Sequence, residues 1–271
     1  MWASISRAIG ALSAGETAER DFDLAAERIQ SALLNVTIPE VSGLDFGVHA
    51  EPARLVGGDY IDVFSSRGQL LFGLGDASGK SLAAALNALM LRYLVRGLVQ
   101  ALGSEQLESI LEHTNAVVAE DLRSTDHFIT LVLGAVDAVS GRLRIVNAGH
   151  EPPLVLRAAA TDVEIMTMHD IVLGVNDGVK YRVEETMLGP GDRVVVYTDG
   201  LTEASNSHGE LYTVERLREN FLANRELPAQ ALADALFDAV KTYAAAEMRD
   251  DATILVILRA ANLRGVSSPS A

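Results

Sequence analysis

The chain has 271 residues, with 22 Lys and Arg against 37 Asp and Glu, which gives a formal net charge of −15. Such an acidic chain repels a phosphate backbone and anionic lipid, which argues against nucleic-acid binding and against a basic membrane anchor. The absence of cysteine excludes disulfide scaffolds, thiolate nucleophiles and cysteine-ligated metals, and it fits a reducing, cytoplasmic location.

The N-terminal part of the chain shows the apolar spacing of helices. Apolar spacing predicts helix near the N terminus and again over 18–34, and Pro39 ends the pattern. We therefore expect an N-terminal helical segment over 1–40, which would serve as a switch or as a dimer contact. The first residues lack the charge pattern and cleavage site of a signal peptide.

From position 44 onward the pattern changes to short apolar runs bounded by Gly, Asp and Ser, which is typical of strands. The predicted strands are 45–50, 60–64, 70–74, 128–137, 142–147, 154–157, 164–168, 193–198 and 253–259. The predicted helices are 81–102, 104–122, 214–224 and 228–246. Strand and helix do not alternate regularly, so sheet layers covered by helices are favoured over a doubly wound sheet.

The most apolar of these helices, 82–102, contains Arg92 and Arg96 near its centre. Two central arginines favour a buried helix over a membrane span, so no integral membrane segment is expected. The polar, proline-containing tail 260–271 is predicted to be disordered.

Four short motifs place aspartate beside glycine or another aspartate at the edge of an apolar strand. They are GGDYID at 57–62, GDASG at 75–79, YTDG at 197–200 and RDDAT at 249–253. Each motif alone is also compatible with a simple turn. Together they indicate carboxylates gathered around a hard divalent cation, because Mg²⁺ and Mn²⁺ prefer oxygen ligands. Carboxylate sites with two metals are typical of phosphate-ester hydrolysis, in which a hydroxide held between the metals attacks phosphorus.

These motifs belong to a longer ordered set that resembles the PPM (protein phosphatase 2C-like) family of metal-dependent serine/threonine phosphatases, in its bacterial SpoIIE-type branch. The matching segments are ERIQSALL at 27–34, VGGDYID at 56–62, FGLGDASGK at 72–80, AAAL at 83–86, FITL at 128–131, NAGHEPPL at 147–154, LGV at 173–175, GD at 191–192, VYTDGLTEA at 196–204 and DDAT at 250–253.

The resemblance implies an α+β fold, a PPM-type αββα sandwich of two packed, mostly antiparallel sheets flanked by helices, over 41–259. It also implies two divalent cations, Mn²⁺ or Mg²⁺, at one end of the sandwich. Asp76 would bridge both metals, with the backbone carbonyl of Ala77 beside it. Asp199 and Asp250 would complete the shell of one metal, and Asp59 would act on the other, partly through water.

The catalytic assignment therefore rests on Asp76 and Asp59. The residues that would shape the site around the ligands are Gly58, Asp62, Gly200 and Asp251, with Glu203 and Asn147 at its rim. Many eukaryotic members carry a histidine, proposed as the leaving-group acid, where this chain has Ser78, so a metal-bound water would take that role. His150 is read as structural rather than catalytic, and Arg54 and Lys80 are candidates for binding phosphate.

The predicted function is hydrolysis of phosphoserine or phosphothreonine on a regulatory protein. By resemblance, that substrate is an anti-sigma-factor antagonist of the STAS type, which connects the chain to sigma-factor regulation. One alternative is a catalytically silent PPM-like module that binds a regulator. Another is a P-loop NTPase, suggested by GDASGKS at 75–81, although its glycines are out of register and Asp76 would face the phosphates.

Overall fold

The computed structural model describes residue 34 and residues 36–54, 57–79, 82–244 and 248–260. Nearly all of the predicted N-terminal segment 1–40, and all but the first residue of the predicted tail 260–271, lie outside the described residues. Their predicted structure and roles therefore stay predictions.

Two five-stranded antiparallel sheets form the centre of the described fold. The strands are β1 (Leu44–Glu51), β2 (Asp59–Ser66), β3 (Gln69–Ala77), β4 (Ile129–Val136), β5 (Arg142–Ala148), β6 (Leu154–Leu156), β7 (Glu164–Ile165), β8 (Val183–Met187), β9 (Arg193–Tyr197) and β10 (Ala252–Arg259). The first sheet has the order β1-β10-β9-β6-β7, and the second has the order β2-β3-β4-β5-β8.

Within the part of the chain that the structure describes, five helices cover the outer faces of the two sheets. They are α1 (Leu82–Leu102), α2 (Leu107–Ser124), α3 (Asp199–Thr202), α4 (Thr213–Ala223) and α5 (Ala229–Tyr243). The long helices α1 and α2 pack on the second sheet, whereas α4 and α5 pack on the first. The order of layers is therefore helix, sheet, sheet, helix, as predicted.

Each sheet is buried on both faces, which explains its nearly continuous apolar strands. Ile61 and Phe72 of the second sheet pack against Val194 and Leu255 of the first in one buried cluster. Their strand neighbours point the opposite way, because side chains alternate along a strand. Tyr60, for example, packs on the helix side of the second sheet.

Helix α1 is, among the described residues, the one helix long and apolar enough to cross a membrane by length and composition alone. Ala84, Ala88, Leu91 and Val95 of this helix are buried against the second sheet. Their spacing of three to four residues is that of a helix with one face in a protein core.

The predicted α+β fold of two antiparallel sheets flanked by helices is confirmed. Two elements were not predicted. Strand β8 has the sequence VEETM and lies at the sheet edge with Glu185 and Met187 exposed, so it lacks the apolar signal of the central strands. Helix α3 is a single turn, too short to show a period.

Candidate active site

The predicted aspartates lie where strands of the two sheets end. In the second sheet, Asp59 begins β2 and pairs in register with Asp76 near the end of β3. In the first sheet, Asp199 follows β9 by two residues, and Asp250 precedes β10 by two. Because β9 and β10 are antiparallel neighbours, the end of one lies beside the start of the other. In each sheet, two separate segments of the chain thus place carboxylates at the ends of neighbouring strands.

Asp59 connects the two sheets directly. Its Oδ2 accepts hydrogen bonds from the Thr198 hydroxyl at 2.9 Å and from the Thr253 hydroxyl at 2.7 Å, and both threonines belong to the first sheet's side of the site. The residue is only 1% exposed. Burial, together with the charges of Asp76 and Asp251, raises the pKa of Asp59 well above its ordinary value. A cation nearby would offset the free-energy cost of ionising Asp59.

Asp76, near the end of β3, and Asp199, which follows β9, lie on the same small cavity. This cavity, of about 50 Å³, is also bordered by Thr130, His150 and Glu151. Burial raises the pKa of Asp199 to about 6, and the charges of Glu203, Asp250 and Glu151 add to the rise. Burial and the Glu203 charge likewise raise the pKa of Glu151. The site therefore holds several carboxylates that oppose each other's ionisation.

Two glycines and Asp251 hold the backbone close to these carboxylates. A Cβ atom on Gly58 would lie 2.2 Å from the carbonyl oxygen of Ala77 and 2.9 Å from Oδ1 of Asp76. A Cβ atom on Gly200 would lie 1.9 Å from the carbonyl oxygen of Asp251. The Asp251 carboxylate accepts hydrogen bonds from the backbone N–H of Gly58 and of Ala53, each at 2.8 Å. These contacts fit the supporting role predicted for Gly58, Gly200 and Asp251.

The segment around His150 is tied together by its own side chains. Asn147 closes the turn, accepting a hydrogen bond from the His150 N–H at 2.7 Å and donating to the His150 carbonyl at 3.0 Å. The imidazole Nδ1 lies 2.7 Å from the Thr130 hydroxyl. Burial lowers the pKa of His150 to about 4, so the ring is neutral near pH 7. These contacts support the structural interpretation of His150.

Ser78 is hydrogen-bonded to a neighbouring segment of the same chain. Its hydroxyl accepts a hydrogen bond from the Phe128 N–H at 3.0 Å, and its own N–H donates to the Phe128 carbonyl at 2.9 Å. A serine hydroxyl is too weak an acid to replace the histidine that many eukaryotic family members carry at this position. Ser78 therefore fixes the loop that follows the Asp76 strand.

Asp62 lies apart from the other predicted residues. Its carboxylate pairs with Arg96 at 2.6 Å and with Arg92 at 3.1 Å, and both arginines belong to α1. Asp59 and Asp62 are three positions apart in one strand, so they point to opposite faces of the sheet. The structure places Asp62 in the contact between strand and helix rather than beside the other predicted aspartates. Arg54 is exposed, and Lys80 lies outside the described residues.

Several residues of the site were not assigned from the sequence. Thr198 and Thr253 stand inside motifs that were singled out, yet their hydrogen bonds to Asp59 cross from one sheet to the other. Glu151 follows His150 in another of those motifs and lines the small cavity. Sequence proximity to a motif is the one signal that pointed to them.

The donor set fits a hard divalent cation. Carboxylates and the Ala77 carbonyl supply oxygen ligands, and the raised pKa values of Asp59 and Asp199 show carboxylates that a positive charge would stabilise. Within the described residues, no three acidic or imidazole side chains already enclose a point where an ion would sit.

The strand arrangement argues against the P-loop alternative. A P-loop leaves the end of a strand in a parallel sheet and wraps around phosphate before a helix begins. Here β3 continues through Asp76 to Ala77, and both of its neighbours, β2 and β4, run antiparallel to it. The backbone at 75–77 is paired in a sheet and forms no cradle.

Comparison with known proteins agrees with this geometry. Residues 66–260 match the family described as Stage II sporulation protein E (SpoIIE). Phosphoserine phosphatase RsbU of Bacillus subtilis is 25% identical over 236 residues, a match that covers 86% of this chain and 69% of RsbU. The structure of the RsbU and RsbW domains of Rv1364c from Mycobacterium tuberculosis superposes with a TM-score of 0.73 at 25% identity, covering 86% of this chain and 64% of that one.

The catalytic domain of the serine/threonine protein phosphatase PstP, solved in complex with two manganese ions, shares the fold. Its TM-score is 0.56 at 17% identity, and the match covers 79% of this chain and 97% of that domain. The family match extends over more than two thirds of the sequence and contains Asp76, Asp199 and Asp250, whereas Asp59 precedes it. This chain belongs to the SpoIIE family and has the fold of PP2C-type serine/threonine protein phosphatases.

Proposed function

We propose that this chain is a divalent-metal-dependent phosphatase that hydrolyses phosphoserine or phosphothreonine on a regulatory protein. One observation carries the proposal: Asp76 and Asp199, from different sheets, line one small cavity, and the pKa of Asp199 is raised to about 6 partly by Asp250 and Glu203. Perturbed carboxylates gathered in a cleft are typical of catalytic sites.

The residues proposed to hold two cations, Mn²⁺ or Mg²⁺, are Asp76, the Ala77 carbonyl, Asp199, Asp250 and Asp59. When bound, such ions supply an activated water as nucleophile and neutralise the charge that develops on the phosphoryl group. The chain's own groups set the geometry for this chemistry. Thr198 and Thr253 fix the carboxylate of Asp59, and Asp251 holds the backbone of Gly58 against Ala77.

The proton for the leaving serine oxygen is proposed to come from water. The Ser78 hydroxyl, which accepts a hydrogen bond from the Phe128 N–H, is too weak an acid, and His150 is neutral near pH 7 because burial lowers its pKa to about 4. Neither side chain is suited to protonate a leaving alkoxide at that pH, since the acid should titrate near the working pH.

The proposed substrate is an anti-sigma-factor antagonist of the STAS type, and the proposed location is the cytoplasm. Support comes from RsbU, whose name states that it is a phosphoserine phosphatase, and from Rv1364c, which joins an RsbU domain to an RsbW domain in one chain. The sequence resemblance that implies this substrate extends over the same motifs as the site.

The test is phosphate release from a serine-phosphorylated STAS protein, with Mn²⁺ and with Mn²⁺ chelated. Wild type should release phosphate only with the metal. Asp76→Asn should fold normally and lose activity, whereas Asp177→Asn, which changes an exposed carboxylate of the Arg123 ion pair, should keep it. Near-normal turnover by Asp76→Asn would refute the proposal. A folded wild-type protein that fails to hydrolyse even p-nitrophenyl phosphate in Mn²⁺ would favour the silent, regulator-binding module.

A further inference from the structure

A second cavity opens directly beside the proposed metal ligands. Its volume is about 330 Å³, and Asp250 and Gly200 form the part of its lining that it shares with the site. The rest of the wall includes Glu203, Ala204 and Leu211, from the segment that follows α3. Cavities of this size hold a side chain or a small ligand.

The segment 204–212 forms a firmly tied hairpin along one side of this cavity. Ser205 and Leu211 pair across it, and the Tyr212 N–H donates to the Ala204 carbonyl at 2.8 Å. The Asn206 carboxamide oxygen accepts hydrogen bonds from two backbone N–H groups within the hairpin, at 2.9 and 3.0 Å. The Tyr243 hydroxyl of α5 anchors the hairpin to the core by donating toward the Leu211 carbonyl at 3.2 Å. The wall is therefore preformed.

The wall of the cavity is mixed, with apolar surface from Ala204 and Leu211 and charged groups from Glu203, Arg249 and Asp250. Ala204 and Gly200 are buried, whereas Leu211 leaves 49% of its surface exposed, a large fraction for a leucine beside a catalytic centre. Glu203 is exposed, and Asp250 lies at the boundary with the metal ligands. An apolar side chain would bury surface against Leu211. The opposite charges of Glu203 and Arg249 give the wall no preference for an acidic or a basic side chain.

The net charge of the chain limits how it could recognise a phosphorylated substrate. A net charge of −15 offers no long-range attraction to a phosphorylated protein. Recognition must then come from the metals and from short-range contacts near them. Because the cavity is continuous with Asp250 and Gly200, a residue close to the phosphoserine in the substrate chain can reach it.

We propose that this cavity is the specificity pocket of the phosphatase, and that it binds an apolar side chain within two residues of the phosphoserine in the substrate protein. The inference rests on the proposed function. Leu211 is its specificity-determining residue, and the hairpin 204–212 holds Leu211 in place.

The experiment uses synthetic phosphoserine peptides in which the two residues on each side are varied in turn between Leu and Ala. Wild type should show a kcat/KM roughly tenfold higher with Leu than with Ala at one of these positions. Leu211→Gln should reduce that difference to less than about threefold, mainly through KM, because the amide no longer favours an apolar partner.

Met187→Gln is the matched control. Met187 is 53% exposed and ends β8 at the opposite end of the second sheet, so the substitution should leave peptide selectivity unchanged. Met187→Gln should also hydrolyse p-nitrophenyl phosphate like wild type, and Leu211→Gln should keep the wild-type circular dichroism spectrum, which shows that it folds. Equal hydrolysis of all peptides by wild type, or unchanged selectivity in Leu211→Gln, would overturn the pocket assignment while leaving the phosphatase proposal intact. Failure of wild type on peptides and p-nitrophenyl phosphate alike would instead overturn the proposed function.

Discussion

Gly58→Ala is the most direct test of how closely the backbone is packed at the proposed metal site. The added methyl carbon would lie 2.2 Å from the Ala77 carbonyl oxygen and 2.9 Å from Oδ1 of Asp76. Ordinary contact begins at 3.4 Å, so the Ala77 carbonyl would have to retreat by about 1.2 Å. Both groups are proposed ligands, and the backbone carbonyl cannot swing away as a flexible side chain would.

The expected effect on catalysis exceeds the effect on stability. A misplacement of about 1 Å in a catalytic group costs roughly a hundredfold in rate, so kcat for p-nitrophenyl phosphate should fall by about that factor. Overpacking of one methyl group should lower the free energy of unfolding by about 1–3 kcal/mol, which a domain of this size tolerates. The Mn²⁺ concentration for half-maximal activity should rise as well.

The assay compares kcat, the Mn²⁺ dependence and the circular dichroism spectrum of the variant with those of Gly97→Ala. Gly97 lies on the exposed side of α1, and nothing lies within 4 Å of a Cβ atom placed there. That control should keep full activity and gain about 0.5–1 kcal/mol, because alanine favours a helix more than glycine does. A Gly58→Ala protein whose kcat and Mn²⁺ dependence stay within threefold of wild type would refute the packing argument.

Two further predictions concern charged groups. Because burial and nearby carboxylates raise the pKa of Asp199 to about 6, ionisation of this group destabilises the metal-free fold as pH rises from about 4 to 6. Asp199→Asn should therefore raise the metal-free Tm at pH 7 but not at pH 4, and it should weaken the Tm rise produced by Mn²⁺; equal Tm differences at the two pH values would contradict this. Asp62→Ala should lower the free energy of unfolding by about 3 kcal/mol, because it leaves the Arg92 and Arg96 charges without their buried partner. As a control, Arg123→Ala breaks an exposed ion pair and should lower the free energy of unfolding by less than about 0.5 kcal/mol. If urea denaturation gave similar losses for Asp62→Ala and Arg123→Ala, burial would not strengthen the Asp62 contact.

Much of the fold could be predicted because its strands carry a strong local signal. The run from Leu70 to Leu74 and the run from Arg193 to Tyr197 are rich in branched residues and end at Gly or Asp, and both are strands in the structure. Strand β8 escaped prediction because an edge strand half exposed to water needs few apolar residues.

The sequence already contained the reason why Asp62 does not lie beside the other predicted site residues. Asp59 and Asp62 share one motif, and motif proximity suggested a shared site. Side chains alternate along a strand, however, so residues three positions apart cannot face the same way. Arg92 and Arg96, one helical turn apart on α1, complete the pair on the other side of the sheet.

What the sequence by itself determined is the chemistry available: carboxylates and glycines at the ends of apolar strands, in a chain without cysteine. These are local properties, set by residue type and spacing. Only the tertiary structure decided which of these groups meet. The hydrogen bonds from Thr198 and Thr253 to Asp59 join residues 139 and 194 positions apart, and the cavity between Asp76 and Asp199 exists because two sheets end at the same place. Such contacts depend on how two independently formed layers pack, and no periodicity within a single strand encodes that.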